Sequence, residues 1–146
     1  MAYWDTSCLL KLYAAEPDSV ALQSHLLAET TTVTSMITRF ELWGALRRKE
    51  SLGDLRRSAA RTALAAYDAD VASRLIQIAP LDTMVLAKFE LTIEQCYSRS
   101  IPIALRTLDA IHVATALISG ETEVVATDSR LREAARFLGL NVYPPP

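Results

Sequence analysis

Several things are scarce in this 146-residue chain, and each scarcity excludes something. There are only two cysteines, Cys8 and Cys96, and neither has a second Cys or His at metal-ligand spacing. That excludes a disulfide framework and a zinc site, and leaves two free thiols of the kind a reducing cytoplasm maintains. Glycine (four) and proline (six) are rare, so collagen-like and low-complexity chains are excluded, and no Gly-rich loop is present to cradle a nucleotide phosphate. Positive charge is not in excess: 15 Lys and Arg stand against 17 Asp and Glu, a net charge of −2. Nucleic acid, if bound, must therefore meet a local patch. No apolar run reaches the roughly 18 residues that a membrane span needs. The opening MAYWDTSC has no basic region and carries Asp5 early, so no signal peptide is expected.

What is present is a core-forming composition, 51% hydrophobic and 22% charged, in a chain of single-domain size. AYW reads as a short buried strand ending at Asp5. SCLLKLYAAE follows with helical spacing until Pro17 interrupts, and DSVALQSHLLAE is a helix with Asp18 as N-cap. TTTVTS (30–35) is β-branched and short, a second strand. MITRFELWGALRRKE is helical, with Ile37, Phe40, Trp43, Gly44 and Arg47 near one stripe; Gly53 stops it and Asp54 is placed to cap the next helix.

LRRSAARTALAAYDADVASRL and a helix from Thr83 to about Arg99, capped by Asp82, are expected to pair across IQIAPLD as a projecting helical hairpin over about 54–99. RTLDAIHVATALISG is a helix ended by Gly120. EVVATD is a strand of the fully buried, parallel kind, SRLREAARFLG a helix, and LNVY a last strand before a proline tail, 144–146. Strands alternating with helices imply an α/β fold, a three-layer α/β/α sandwich on a central parallel sheet, in one domain over 1–146.

Four carboxylates lack ordinary explanations. Sites in open parallel sheets form at the carboxyl ends of the strands. Asp5 and Asp128 end two strands, so both emerge at that edge, although an Asp there is also an ordinary turn or cap residue. Asp109, with Thr107 as N-cap, stands near N2 of a small, apolar helix, where the helix dipole favours its charge by roughly 0.3–1 kcal/mol. Glu41, about two turns into its helix, has Ile37, Thr38, Gly44 and Ala45 at i±3 and i±4, with no base among them. Four acids at one edge without four bases repel one another, and a hard divalent cation, Mg²⁺ or Mn²⁺, relieves that. Oxygen ligands, retained waters and room for phosphate oxygens suit in-line hydrolysis of a phosphodiester.

DTSCLLKLYAAEPDS, SMITRFELWGALRR, LRTLDAIHVATAL and ATDSRLREAARFLGLNVY, in that order over 1–143, together resemble the PIN-domain ribonucleases, in particular the VapC-type toxins of toxin–antitoxin pairs. The resemblance implies a parallel-sheet α/β/α sandwich and an endoribonuclease dependent on Mg²⁺ or Mn²⁺. It implies that Asp5, Glu41, Asp109 and Asp128 are the catalytic and metal-binding acids, with supporting hydroxyls at Thr6 or Ser7 and at Thr127. It further implies homodimerisation and inhibition by a small antitoxin that wraps apolar grooves. Where some relatives carry a further acid just after the position of Asp128, this chain has Ser129, Arg130 and Leu131.

Other features are read more plainly. His112, in so apolar a helix, is expected to be a buried, hydrogen-bonded structural residue, and His25 a surface one. Tyr3, Trp4 and Trp43 are read as packing. Arg39, Arg47, Arg48, Lys49, Arg56, Arg57 and Arg61 form either a solvated face or a phosphate-tracking rim. Arg106, Arg130 and Arg132 flank the acids. From these, Arg47, Arg48, Arg106 and Arg130 are the RNA-binding candidates, with transfer or ribosomal RNA as substrate. The alternatives are a catalytically silent PIN scaffold that serves as a binding module, and a structure-specific DNA nuclease. A phosphotransfer aspartate phosphatase fits less well, because it needs an acid where Ser7 stands, and so does a receiver domain, for which no switch lysine is found.

Overall fold

The computed structural model describes residues 2–28 and 32–145. In chain order the elements are β1 (Ala2–Trp4), α1 (Thr6–Tyr13), α2 (Ser19–Ala28), β2 (Thr32–Ser35), α3 (Thr38–Leu52), α4 (Ala59–Ala72), β3 (Ile76–Ala79), α5 (Thr83–Tyr97), α6 (Thr107–Ile118), β4 (Glu123–Val125), α7 (Ser129–Phe137) and β5 (Asn141–Tyr143). The start of the second strand expected at Thr30 and Thr31, and Pro146 of the tail, lie outside the described residues.

The five strands form one sheet in the order β3-β2-β1-β4-β5, with every neighbouring pair parallel. Successive side chains of a strand point to opposite faces, and the two cores obey this. Ala2, Trp4, Ile76 and Val125 pack with α1, α3 and α4 on one face. Tyr3, Val33, Val124 and Ala126 pack with α5, α6 and α7 on the other. The chain steps from β1 to β2 to β3 with its helices on the first face, then from β4 to β5 in the opposite direction with α7 on the second. A constant crossover hand demands that exchange of faces. The result is the three-layer α/β/α sandwich that the sequence implies.

The helical hairpin expected over 54–99 is corrected. IQIA is the edge strand β3, paired with β2 from Thr32↔Ile76 to Ser35↔Ala79, and it separates α4 and α5. The two helices lie on opposite faces of the sheet: Ala60, Ala63 and Tyr67 belong to the first core, Cys96, Phe89 and Ile93 to the second. As an edge strand, β3 buries only Ile76 fully, so its apolar pattern is short.

Two local readings also change. Asp54 caps nothing, because α4 starts at Ala59 after Ser58. Gly53 does end α3, at φ 86°, the left-handed conformation that glycine adopts without steric cost. The buried side chains of α3 are Thr38, Leu42 and Leu46, whereas Phe40 is 74% exposed. Both cysteines are free, as expected, and both are buried. Among the described residues no helix is long and apolar enough to cross a membrane.

Candidate active site

Strand order reverses between β1 and β4: from β1 the chain builds outward one way, from β4 the other. The loops that leave two such strands diverge to opposite faces and open a crevice at their carboxyl ends. Asp5 follows β1 directly and Asp128 follows β4, so both stand at this switch point. The short link 119–122 joins α6 to the start of β4. It holds the C-terminus of α6 at the edge where strands begin, and therefore its first turn, with Asp109, at the edge where they end. Glu41 comes from the first turn of α3, which leaves β2 at that edge. All four acids line one cleft of about 360 Å³, together with Thr6, Ser7, Gly44, Arg48 and Arg106.

Two of the acids are also helix caps. The Asp5 carboxylate accepts from the Ser7 backbone N–H at 3.2 Å and from the Ser7 hydroxyl. That of Asp128 accepts from the backbone N–H of Arg130 at 2.9 Å and of Leu131 at 3.1 Å. Capping fixes each carboxylate at the mouth of a helix N-terminus, where free N–H groups favour negative charge. The ordinary and the functional readings of these residues thus describe one arrangement. Asp109 is buried, in the first turn of α6, but Arg106 rather than Thr107 is the N-cap, so Asp109 sits at N3.

Glu41 does have a base beside it, supplied from far along the chain. Its Oε2 lies 2.7 Å from His112 Nε2 and accepts from the Thr6 hydroxyl at 2.6 Å. On the other side of the ring, His112 Nδ1 is 2.6 Å from the Tyr3 hydroxyl, and Nε2 is 3.5 Å from Asp5. In the neutral ring Tyr3 donates to Nδ1 and Nε2–H donates to Glu41. Protonation reverses the first bond and leaves the second in place. His112 is 1% exposed. Burial opposes its charge, but the bond to Glu41 and the nearby Asp5 prevail, and its pKa is raised. Burial likewise opposes the Glu41 charge, yet the His112 and Thr6 bonds hold its pKa below the ordinary value. His112 is buried as expected. What the sequence reading missed is that it supports a site carboxylate directly.

Arg106 supplies the second counter-charge. Its Nε donates to Asp109 at 2.7 Å, and its Nη2 donates to Asp109 at 3.3 Å and to Asp128 at 3.1 Å. The expectation of four unmatched acids is therefore corrected: one arginine and one histidine stand among them. Arg48 lines the same cleft.

The remaining candidates lie further out. Thr127 is exposed and outside the cleft lining; burial and the Asp5 charge push the pKa of the Cys8 thiol up to about 11. Arg47 pairs with Glu50 and faces, with Trp43, Arg57 and Arg61, a neighbouring hollow of about 420 Å³. Arg130 is exposed and outside the cleft lining. Arg132 is committed to the carbonyls of Ala126 and Pro144. Of the outer bases, Arg39 pairs with Asp68 and Lys49 with Glu16. His25 is not the surface residue expected: it bonds Glu123 at 2.9 Å and stacks on Tyr143 at 3.6 Å between centroids.

Among the described residues, no three His, Cys, Asp or Glu side chains form a ready-made metal cluster. The donor chemistry nevertheless fits a hard cation. The cleft offers carboxylate and hydroxyl oxygens from four elements, and a cation, the Arg106 guanidinium, already bridges two of the carboxylates.

Residues 2–137 match the PIN domain family. Over 145 residues the chain is 35% identical to "Ribonuclease VapC46" of Mycobacterium tuberculosis, covering 98% of this chain and 96% of that protein. It is 34% identical over 151 residues to "Ribonuclease VapC47" of the same species, covering 99% and 97%. Among solved structures, the fold matches VapBC2 from Rickettsia felis bound to a DNA fragment from its promoter (TM-score 0.70, 16% identity, 97% of each chain). It also matches M. tuberculosis VapC20, described as a sarcin–ricin loop cleaving toxin (TM-score 0.68, 18% identity, 92% of this chain and 95% of that one).

Proposed function

The chain belongs to the PIN-domain family, among its VapC-type ribonucleases, and on that premise we propose a divalent-metal-dependent endoribonuclease that acts in the cytoplasm as the toxin of a toxin–antitoxin pair. The observation that carries the reading is the shared cleft: Asp5, Glu41, Asp109 and Asp128, from four separate elements, line one crevice at the strand-order switch point. Asp5, Glu41, Asp109 and Asp128 would hold Mg²⁺ or Mn²⁺. When bound, the ion supplies Lewis-acid stabilisation of the charge that develops on the phosphate and lowers the pKa of the attacking water.

The chain's own residues do the rest. Ser7 and the N-terminus of α1 keep the Asp5 carboxylate turned into the cleft. Thr6 and His112 fix one oxygen of Glu41 and leave the other to the cleft, where a carboxylate can orient water or take its proton. Arg48 and Arg106 stand on the walls with donors suited to a phosphodiester.

The partners in this reading are RNA, a small antitoxin and a second copy of the chain. Transfer and ribosomal RNA are the substrates to test first, since the related VapC20 is described as cleaving the sarcin–ricin loop. Support for a protein partner comes from an apolar hollow of about 650 Å³ lined by Leu81, Val85, Leu86, Phe89 and Ile111, of which Leu81 and Leu86 are exposed.

The experiment is brief induction of the wild type beside Asp5→Asn, with mapping of new RNA 5′ ends. Cleavage at discrete sites by the wild type only is the expected result. Equal cleavage by the two would refute the assignment.

A further inference from the structure

The Arg106 guanidinium takes up the carboxylate oxygens that a divalent ion would need. It holds both oxygens of Asp109 and one of Asp128. It pairs with no acid outside the cleft among the described residues. Its side chain is nonetheless 63% exposed, so swinging away costs little desolvation or packing. Its main chain is anchored as the N-cap of α6, in extended conformation and without a side-chain cap bond. The side chain can therefore swing while the first turn of α6, and Asp109 with it, stays in place.

A guanidinium and a divalent ion cannot share the same carboxylate lone pairs, and the arginine cannot lose its proton to resolve the conflict. Once displaced, a tethered arginine on the cleft wall is placed to reach a phosphodiester lying over the acids. A planar fork matches two phosphate oxygens as well as it matches a carboxylate.

Resting on the nuclease reading above, we infer that Arg106 is the resident counter-cation of the cleft: it gives up Asp109 and Asp128 to the incoming metal and passes to the scissile phosphate of the RNA. Metal loading and substrate capture are thereby linked through one side chain. Arg106 weakens metal binding in the free protein and strengthens RNA binding in the loaded one.

The test is calorimetric titration of MnCl₂ into the full chain, wild type and Arg106→Gln, together with KM for an RNA oligonucleotide at saturating Mn²⁺. Arg106→Gln is expected to bind Mn²⁺ roughly fivefold more tightly, the scale of an exposed ion pair, while its KM for RNA rises by a similar factor. Arg106→Lys, which keeps the charge but not the fork, is expected to bind Mn²⁺ like the wild type and still raise KM. Equal or weaker Mn²⁺ binding by Arg106→Gln, or an unchanged KM, overturns the inference and leaves the nuclease reading intact. Binding of Mn²⁺ by neither protein at millimolar concentration overturns both.

Discussion

His112 Nε2 and Glu41 Oε2 are 2.7 Å apart, joined across 71 residues of chain, and the histidine is held from behind by Tyr3. Each group moves the other's pKa against the effect of its own burial. A carboxylate at the edge of the cleft is in this way kept charged and oriented without a surface base.

The pair carries a pH dependence whose sign follows from the two shifts. His112, raised above 6.5, contributes stability that is complete below 6.5 and lost as pH rises through its folded value. Glu41, lowered below 4.5, contributes stability that is present above 4.5 and lost as pH falls through its folded value. In metal-free protein with chelator present, the pair's contribution should peak between about 4.5 and 6.5 and decline on either side. Urea unfolding across pH checks this. Glu41→Gln should flatten the alkaline decline, and an unchanged profile in that variant would contradict the pairing.

Tyr3→Phe removes the hydroxyl that satisfies His112 Nδ1 in a fully buried setting. Leaving one buried polar atom unpaired costs about 1–3 kcal/mol, a fall in Tm of roughly 2–4 °C per kcal/mol for a chain of this size. Thermal unfolding measures it. Cleavage should persist at temperatures where the variant is folded, because Tyr3 lies behind the site rather than in it.

Asp128 is a helix cap and a proposed site acid, and two substitutions separate the roles. Asparagine caps about as well as aspartate, whereas alanine loses roughly 1 kcal/mol of capping. Asp128→Asn should therefore keep the wild-type Tm and lose most cleavage. Asp128→Ala should lose both. A fully active Asp128→Asn would remove Asp128 from the chemistry and leave it as a cap only.

Divalent metal should stabilise the fold. An ion bound only by the native state at about 100 times its Kd adds about 2.7 kcal/mol. Melting curves with Mg²⁺ or Mn²⁺ should shift upward by several degrees, and Asp5→Asn should reduce the shift. A flat response in the wild type at millimolar metal would favour a silent scaffold instead.

The fold was largely legible because its signals are local. Apolar spacing marked the helices, β-branched runs marked β2 and β4, and Asp82 and Gly53 behaved as cap and stop. β3 was missed because an edge strand buries little: Ile76 alone is fully covered, and a run so short does not stand out between two strong helices. The stripe assigned to α3 was out of phase for a related reason. Periodicity gives a helix's faces but does not say which one meets the sheet, and here Leu42 and Leu46 do.

The candidate acids were legible for a geometric reason. Residues at the carboxyl ends of parallel strands must emerge on one edge, so Asp5 and Asp128 could be brought together from their positions alone. Glu41 stood out because its helical neighbours offered nothing to pair with, and Asp109 because it stands in a small, apolar helix. Their counter-charges were not legible as such. Arg106 is only three residues from Asp109, but its reach to Asp128 depends on α6 and β4 sharing an edge.

By itself, then, the sequence determined the helices, four of the strands and their parallel α/β arrangement, and it singled out the four acids as candidates, since these follow from caps, periodicity and strand ends within short windows. Only the tertiary structure decided that β3 is a strand, which face each helix covers, and that Tyr3, His112 and Arg106 support the acids. Those pairings depend on strand order and layer. No local window encodes them, because the residues meet only after the sheet has formed.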